Sequence, residues 1–409
     1  AILRDPKRIA KKIADYLDGA FYVMDPLRST CRVIYQGNNN SPRVIDFSAL
    51  QGDINNDLQK RDFTINAMAI DLSYPEKVID PLKGGRDLQE KWLRPTSSSS
   101  FQNDAVRVIR AARYASELGL RIEPETIRLI EASVDLLASV SLERQRDELF
   151  KILDSSNSLR GILLLQKFGV LQHFNLVMNS GISDQFRAFE IIERILSTNR
   201  SEKDSGFLFA DSMFSSFALM MEPLQSHFRA RNSNGHSRFQ LDKFVILDSQ
   251  HLIGNFKLTS IFSNDELDHI EIIRRYESLT MALLQSIQNL ENLDCYQFFA
   301  QAGKTGIDLI LLSLAKIFGQ PAAEINQSRW LDILSKSIQL IDVWFNHKEV
   351  SSPTPLLNGD EIIEEFGLKP GPLIGKLINA LKSAQASGAI KDRDAALIFL
   401  REMLTKNPA

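Results

Sequence analysis

The chain has 409 residues, of which 44% are hydrophobic and 24% charged, a composition typical of a globular protein of about two to four domains. The formal net charge of −3 excludes a globally basic nucleic-acid-binding protein, so an RNA site has to come from local clusters of cations. Two distant cysteines, Cys31 and Cys295, predict a reducing, cytoplasmic location without a disulfide framework. The histidines lack metal-ligand spacing, and the absence of a long apolar run predicts that the protein has no membrane partner.

The N-terminal part of the chain predicts a small α/β domain. Asp5-Pro6 has the pattern of a helix start, and this helix is predicted to end near Gly19. Short stretches rich in β-branched and aromatic residues, separated by turn residues, then predict three strands. These strands are Ala20–Met24, Cys31–Gln36 and Arg43–Phe47.

The sequence KRDFTINAMAID follows the third strand. Apolar residues at helical spacing predict one helix over residues 57–70, with Asp57 as its N-cap. This helix carries Arg61, Asp62 and Asn66 on its polar side. The guanidinium of Arg61 suits a phosphate, Asp62 can accept from a ribose hydroxyl, and Asn66 can both donate and accept. An ordinary solvated helix face is the alternative that these residues leave open.

From residue 103 onward the chain predicts almost only helices. Three arginines of the first of these helices, Arg107, Arg110 and Arg113, lie along one side. Stacked cations repel one another unless an anion faces them, and a triphosphate would serve. Neutralisation by nearby carboxylates, Glu143 or Asp147, is the alternative. The first four predicted helices are Asp104–Leu118, Glu123–Ser133, Leu142–Leu153 and Ser158–Phe168.

The stretch KRDFTINAMA resembles motif B of the class II tRNA nucleotidyltransferases, the CCA-adding enzymes, and of the related bacterial poly(A) polymerases. The family consensus reads RRDFTINAMA, so the chain departs from it only at Lys60. Other segments are similar to the same family: DPLKGGRDL from Asp80, NDAVR from Asn103, where the family has Glu, and SLERQRDE from Ser141. GLKPGPLIGKLI, from Gly367, resembles the C-terminal unit of bacterial members.

The resemblance implies an α+β protein with four parts. A small nucleotidyltransferase head of α/β type, N-terminally incomplete, is expected over residues 1–95, and a helical neck that selects the nucleotide over residues 96–155. A helical body over residues 156–350 and a helical unit that contacts tRNA over residues 351–409 follow. The implied activity is transfer of AMP or CMP from ATP or CTP to the 3′ end of tRNA, as addition of CCA, CC or A. Poly(A) synthesis and RNA binding without catalysis are the alternatives.

The family also implies roles for individual residues. The position of Arg61 contacts the incoming nucleotide, and its neighbours, including Asp62 and Asn66, shape the ribose site. Asp104 and Arg107 are implied to read the Watson–Crick edge of the base, because an acceptor and a donor one helical turn apart can imitate its pairing partner. They would select ATP and CTP over GTP and UTP. The same nucleotide-binding face is expected to include two further arginines, Arg110 and Arg113.

The resemblance further implies a two-metal mechanism with Mg²⁺. Asp46, on the third predicted strand, occupies roughly the position of a third metal-binding carboxylate, and a solvent-facing Asp on an edge strand is the alternative. The family's Asp-x-Asp pair and glycine loop precede the helix that starts at Asp5, so the chain itself provides no identifiable metal pair and the pair is expected upstream of Ala1. A chain that begins at Ala1 is therefore expected to have little or no transfer activity.

Overall fold

The computed structural model describes residues 5–26, 29–37, 42–50, 52–155, 157–174, 187–188, 190–191, 226–227, 237–247, 262–319 and 327–406. The chain divides into two compact units. Unit 1 comprises Ala1–Glu148 and Arg160–His173, and unit 2 comprises Leu149–Leu159 and Phe174–Ala409. Within the described residues every strand belongs to unit 1 and unit 2 is helical, which confirms the predicted α+β class. The predicted domain boundaries at residues 95, 155 and 350 stay predictions.

Unit 1 begins with the predicted helix and three-stranded sheet. The carboxylate of Asp5 caps the helix by accepting the backbone N–H of Arg8 at 3.1 Å, and Pro6 occupies the first turn. The strands form an antiparallel meander in chain order, as their short connections favour. The elements are α1 (Pro6–Leu17), β1 (Ala20–Asp25), β2 (Thr30–Gln36) and β3 (Pro42–Phe47).

The two faces of this sheet differ in character. Ala10 and Ala14 of α1, one turn apart, pack on Cys31 and Val33 of β2 and close a small apolar core. Side chains alternate between the faces of a strand, so Asp46 lies on the face away from α1. The neighbours of β3 in the described sheet are on one side only, which makes it an edge strand there.

The single helix predicted over residues 57–70 is wrong. The chain instead forms α2 (Ile54–Gln59), capped by Asp53, then a 3-10 turn (Thr64–Asn66) and a short strand, β4 (Ala69–Ile70). Phe63, in extended conformation, pairs with Pro95 as an isolated β-bridge and is fully buried. A tertiary pairing therefore overrides the helical spacing of the apolar residues.

The rest of unit 1 consists of short strand pairs and helices. β4 pairs with β5 in antiparallel fashion, and β6 pairs with β7 in parallel. A 3-10 helix precedes the helix that runs from unit 1 into unit 2. The elements are β5 (Val78–Ile79), α3 (Gly84–Gln89), β6 (Trp92–Leu93), α4 (Ser100–Asn103), α5 (Arg107–Glu117), β7 (Arg121–Ile122), α6 (Pro124–Glu131), the 3-10 helix (Val134–Ser139), α7 (Leu142–Asp154), α8 (Ser158–Lys167) and α9 (Val170–His173).

Helix α3 approaches the 3-10 turn of residues 64–66 very closely. The carboxylate of Asp80 accepts the N–H groups of Gly84 and Gly85 at 2.7 and 2.9 Å and so fixes the start of α3. A Cβ on Gly84 would lie 2.0 Å from the carbonyl oxygen of Thr64. Only glycine fits where the two backbones meet.

Unit 2 has two apolar cores among its described helices. One core includes Leu284, Phe299 and Leu311, and the other, in the C-terminal part of the chain, includes Ile362, Leu377 and Leu400. The stretch Asn292–Gly319 is long and apolar enough to cross a membrane by length and composition alone, but 72% of its most apolar window is buried inside the protein. The helices are α10 (Arg238–Leu247), α11 (Asn264–Gln285), α12 (Asn292–Ala302), α13 (Gly306–Gly319), α14 (Gln327–Asn346), α15 (Lys348–Ser351), α16 (Gly359–Phe366), α17 (Pro372–Ala386) and α18 (Arg393–Lys406).

A buried polar cluster joins three of these helices. Asp242, His269 and Asp308 place possible ligand atoms within 4.8 Å of one another. Arg238 donates from Nε and Nη2 to the oxygens of Asp308 at 2.6–3.2 Å and from Nη2 to Nδ1 of His269 at 3.0 Å. Burial alone would raise the pKa of Asp308, but the hydrogen bond with His227 and the charges around it lower that pKa. Since Arg238 already supplies the positive charge, the cluster favours a structural role over a metal site.

The imidazole of His269 gives unit 2 a pH dependence with a definite sign. Burial lowers the pKa of His269 from 6.5 to about 4. Between pH 6.5 and 4 the imidazole is protonated in the unfolded chain but stays neutral in the folded protein. The contribution of His269 to the free energy of unfolding is therefore complete above about pH 6.5 and is lost as pH falls toward 4. The free energy of unfolding of unit 2 should fall by about 3 kcal/mol over this range.

Urea unfolding near pH 7 and pH 4.5 measures this effect in the wild type and in His269→Gln. The wild type should lose more stability than the variant over this interval. His347→Gln, which replaces a half-exposed imidazole in the same unit, is the control for the loss of a histidine as such. Equal losses in the wild type and His269→Gln would contradict the assignment.

Candidate nucleotide-binding site

Asp104 lies between two helices and not inside one. It ends α4 with φ −157° and ψ 98°, so the helix predicted to start at Asp104 begins at Arg107. Its Oδ2 accepts a hydrogen bond from Nη2 of Arg144 at 2.7 Å. Its Oδ1 is buried and has no hydrogen-bond partner. A buried acceptor without a donor is costly, so this oxygen is suited to a donor from a ligand.

Arg107 joins the start of α5 to the residues before Asp62. Its Nη1 donates to the carbonyl oxygen of Arg61 at 3.0 Å and to Oγ of Ser100 at 2.7 Å, and its Nη2 donates to the carbonyl oxygen of Lys60 at 2.8 Å. Nη2 carries two N–H groups, so one remains for a ligand. Burial lowers the pKa of Arg107 against the opposing charge of Asp62.

The side chain of Arg61 is half exposed at the end of α2. Its Nη2 donates to Oδ2 of Asp57 at 2.9 Å, so Asp57 is the ion-pair partner of Arg61 and not the predicted helix cap. The backbone carbonyl of Arg61 also accepts from Oγ1 of Thr96 at 2.6 Å. A half-exposed guanidinium on a backbone held in this way is available to a phosphate.

Asp62 is the centre of a buried ion-pair network. Its Oδ2 accepts from Nε and Nη2 of Arg110 at 2.9 and 2.5 Å, while its Oδ1 accepts from the side chain of Asn66 at 3.1 Å and from the backbone of Phe63 at 2.9 Å. Burial would raise the pKa of Asp62, but the charge of Arg110 and these hydrogen bonds lower it. Both oxygens of Asp62 are thus occupied within the protein.

Glu148 of α7 completes this network. It lies 3.3 Å from Nη1 of Arg110 and 2.9 Å from Nε of Arg113. Both guanidinium groups also lie over the ring of Tyr114. In this network Arg110 and Arg113 therefore pair with Asp62 and Glu148, and not with the Glu143 or Asp147 that the sequence suggested.

Asp46 forms a bidentate ion pair across the sheet. Its two oxygens accept from Nε and Nη2 of Arg32 at 2.7 and 2.9 Å, and these hydrogen bonds lower its pKa. A metal centre needs several ligands at one point, and in the described part of unit 1 no group of three ligand side chains converges. The described residues therefore do not fit a two-metal centre by themselves, and Asp46 stays a predicted third carboxylate without an assigned step.

Two residues of the site escaped the sequence analysis. Arg144 lies in the SLERQRDE segment, for which the sequence predicted no site residue, yet it bonds directly to Asp104, 40 residues away. Ser100 donates from Oγ to the backbone carbonyl of Asp62 at 3.0 Å and accepts from Arg107. The bonds from Arg144 to Asp104 and from Ser100 to Asp62 join segments distant in sequence, and the run of serines before residue 101 was the only available signal.

Three family models match separate parts of the chain, which together make up more than half of it. Residues 27–94 match the poly(A) polymerase head domain, and residues 119–180 match the probable RNA- and SrmB-binding site of polymerase A. Residues 262–400 match the putative domain 2 of tRNA nucleotidyltransferases.

Curated relatives resemble the chain over nearly its whole length. The A-adding tRNA nucleotidyltransferase of Deinococcus radiodurans is 25% identical over 99% of this chain and 91% of its own length. The CC-adding tRNA nucleotidyltransferase of Synechocystis is 25% identical over 96% of this chain and 85% of its own length. The CCA-adding enzyme of Streptococcus sanguinis is 26% identical over 85% of this chain and 72% of its own length.

Solved structures show the same fold. A CCA-adding enzyme in complex with CTP superposes with a TM-score of 0.64 at 19% identity, over 98% of this chain and 85% of that one. The CCA-adding enzyme of Thermotoga maritima, in complex with tRNA, has a TM-score of 0.57 at 20% identity, with coverage of 98% and 85%. Together with the KRDFTINAMA motif, these matches place the chain in the class II family of CCA-adding tRNA nucleotidyltransferases and bacterial poly(A) polymerases.

Proposed function

We propose that this protein transfers AMP and CMP from ATP and CTP to the 3′ end of tRNA, as an A-adding, CC-adding or CCA-adding enzyme. The main observation in support is that Oδ1 of Asp104 is buried without a hydrogen-bond partner. Asp104 lies three residues before Arg107, the first residue of α5. Cytosine and adenine both present an amino donor beside a ring-nitrogen acceptor, whereas uracil and guanine present a carbonyl oxygen in place of the amino group. A fixed acceptor and a nearby donor therefore favour CTP and ATP.

The described contacts support a division of roles within the site. Asp104 and Arg107 read the base edge, and the half-exposed Arg61 contacts the triphosphate. Asp62, Asn66, Arg110 and Arg113 belong to the same nucleotide site, where their mutual bonds hold these contacting groups in place. In the proposed function the C-terminal unit, residues 351–409, contacts the tRNA. The proposed location of the protein is the cytoplasm.

Members of this family use a divalent metal ion, and Mg²⁺ is the proposed ion here. It would supply charge stabilisation for the leaving pyrophosphate and activate the 3′ hydroxyl. The described residues contribute binding of the base and the phosphates. Transfer measured with Mg²⁺, with Mn²⁺ and after chelation tests the identity of the ion.

A primer-extension assay tests the proposed activity. The natural full-length protein is incubated with a tRNA that ends before the CCA, with Mg²⁺ and with CTP alone, ATP alone or both. Addition of one to three nucleotides in one of these reactions supports tRNA nucleotidyl transfer and identifies which addition occurs. Long A tails with ATP alone would identify a poly(A) polymerase instead, and binding of tRNA without extension would identify an inactive RNA-binding relative.

Asp104→Asn is expected to relax the choice of nucleotide. The amide can turn its NH₂ toward the carbonyl of uracil or guanine, so the preference for CTP over UTP should fall about tenfold, equivalent to one contact of about 1–3 kcal/mol. Calorimetric titration of all four nucleotides measures the change. Arg61→Ala should weaken all four alike, because a phosphate contact carries no base information. Weaker binding of CTP and ATP, without a gain for UTP or GTP, would make Asp104 a structural residue.

A further inference from the structure

Arg144 forms an ion pair with Asp104, the residue proposed to read the base. It belongs to the first turn of α7, and its Nη2 donates to Oδ2 of Asp104 at 2.7 Å. The bond leaves Oδ1 as the oxygen without a partner. We propose that Arg144 is a positioning residue for nucleotide selection, acting through Asp104 and not by contact with the nucleotide. The inference rests on the proposed function of Asp104.

The exposure of this ion pair argues against a mainly stabilising role. The side chain of Arg144 is 53% exposed and that of Asp104 is 27% exposed. Ion pairs this accessible to water contribute little to folding, because solvent screens the charges and the side chains lose rotamer freedom. Fixing one carboxylate oxygen, in contrast, fixes the direction of the other, which is what a base-reading acceptor requires.

The guanidinium of Arg144 is itself well placed to hold Asp104. Its helix, α7, is held on α5 by Glu148, which lies 3.3 Å from Arg110 and 2.9 Å from Arg113. The position of Arg144 is therefore fixed relative to the start of α5, where Arg107 and Asp104 meet.

Loss of Arg144 would free Asp104 to pair with another cation. The charge of Asp104 already acts on Arg107, whose pKa it raises against the effect of burial. Without Arg144, the carboxylate would turn toward Arg107. The acceptor and the donor that read the base would then satisfy each other, and neither would face the nucleotide.

The experiment compares nucleotide selection in Arg144→Met with selection in the wild type. Dissociation constants for CTP, UTP, ATP and GTP are measured by calorimetric titration, and thermal unfolding checks that the variant is folded. The ratio of the UTP and CTP constants should fall about tenfold, as expected for the loss of one base contact. Arg128→Met is the matched control, because Arg128 forms an exposed ion pair with Glu125 one turn away on α6, and its selection should equal that of the wild type.

A double-mutant cycle separates positioning from a general structural effect. If Arg144 acts only through Asp104, adding Arg144→Met to Asp104→Ala should cause no further loss of selection. Arg144→Lys retains the charge but not the planar guanidinium, so it should preserve part of the selection. Arg144→Lys also keeps the proposal testable if Arg144→Met does not fold.

Nucleotide selection in these variants supports or overturns the proposed role of Arg144. Equal weakening of all four nucleotides in Arg144→Met would make Arg144 a phosphate contact or a structural residue and would overturn the inference, as would unchanged selection. Additive effects in the double variant would also overturn it. A wild-type protein that binds UTP as tightly as CTP would instead refute the proposed function itself, whereas wild-type selection that survives Arg144→Met refutes only the role of Arg144.

Discussion

Gly84→Ala is expected to lower the unfolding free energy of unit 1 by about 3 kcal/mol or more, at the upper end of overpacking effects. The new Cβ would lie 2.0 Å from the carbonyl oxygen and 2.6 Å from the carbonyl carbon of Thr64. These are backbone atoms, so no side chain can rotate to relieve the clash. Calorimetry and hydrogen exchange of residues 64–66 and 84–89 would measure the loss.

Gly85→Ala is the matched control for this prediction. Its Cβ would lie 3.3 Å from Oδ2 of Asp80 and 3.7 Å from Sδ of Met68, both ends of side chains. Alanine also favours a helix over glycine by about 1 kcal/mol, which offsets the small rearrangement. The control should therefore have nearly wild-type stability. Equal stabilities for the two variants would show that α3 can move away from the 3-10 turn.

Arg238→Met should destabilise unit 2 by about 3–5 kcal/mol, the range for removing one partner of a buried ion pair. The variant leaves Asp308, which is fully buried, without the guanidinium that bonds both of its oxygens. Methionine keeps much of the volume, so the effect comes mainly from the charge. Denaturant unfolding followed through the tryptophans of unit 2, Trp330 and Trp344, would measure it.

Two further variants test the cause of this destabilisation. Arg275→Met removes an arginine from an exposed pair with Glu271 in the same unit and should cost less than about 1 kcal/mol. Asp308→Asn, added to Arg238→Met, removes the buried charge that has lost its guanidinium partner and should restore part of the stability. If Arg238→Met is as mild as Arg275→Met, the cluster does not depend on the guanidinium.

The sequence was most informative where structure depends on near neighbours. The helix at Pro6, with its cap at Asp5, and the three strands after it were all predicted, because turn residues and β-branched residues determine them locally. The motif around Arg61 was recognised correctly as belonging to the family, although its backbone was predicted wrongly. The match of KRDFTINAMA to the family motif does not depend on the apolar spacing that predicted a helix over residues 57–70.

The wrong helix over residues 57–70 and the wrong partners of the arginine row both result from pairing over long sequence distances. The bridge between Phe63 and Pro95 ends the helix predicted over residues 57–70. Arg110 bonds to Asp62, 48 residues away, and to Glu148, 38 residues away, and not to Glu143 or Asp147, which the sequence had suggested as partners. Local periodicity carries no information about such contacts. The sequence therefore indicated candidate residues for the site but not the hydrogen bonds and ion pairs between them.

Arg107 bonds the backbone of Arg61, and this contact has a kinetic consequence. The carbonyl of Arg61 accepts from the same guanidinium that is proposed to read the base, while the side chain of Arg61 is the proposed phosphate contact. A mismatched base that displaces Arg107 would therefore also displace the residue that aligns the triphosphate. Misaligned phosphates react slowly even when bound. Discrimination between nucleotides should accordingly be larger in kcat/KM than in Kd, so a wrong nucleotide that binds the enzyme would still be transferred rarely.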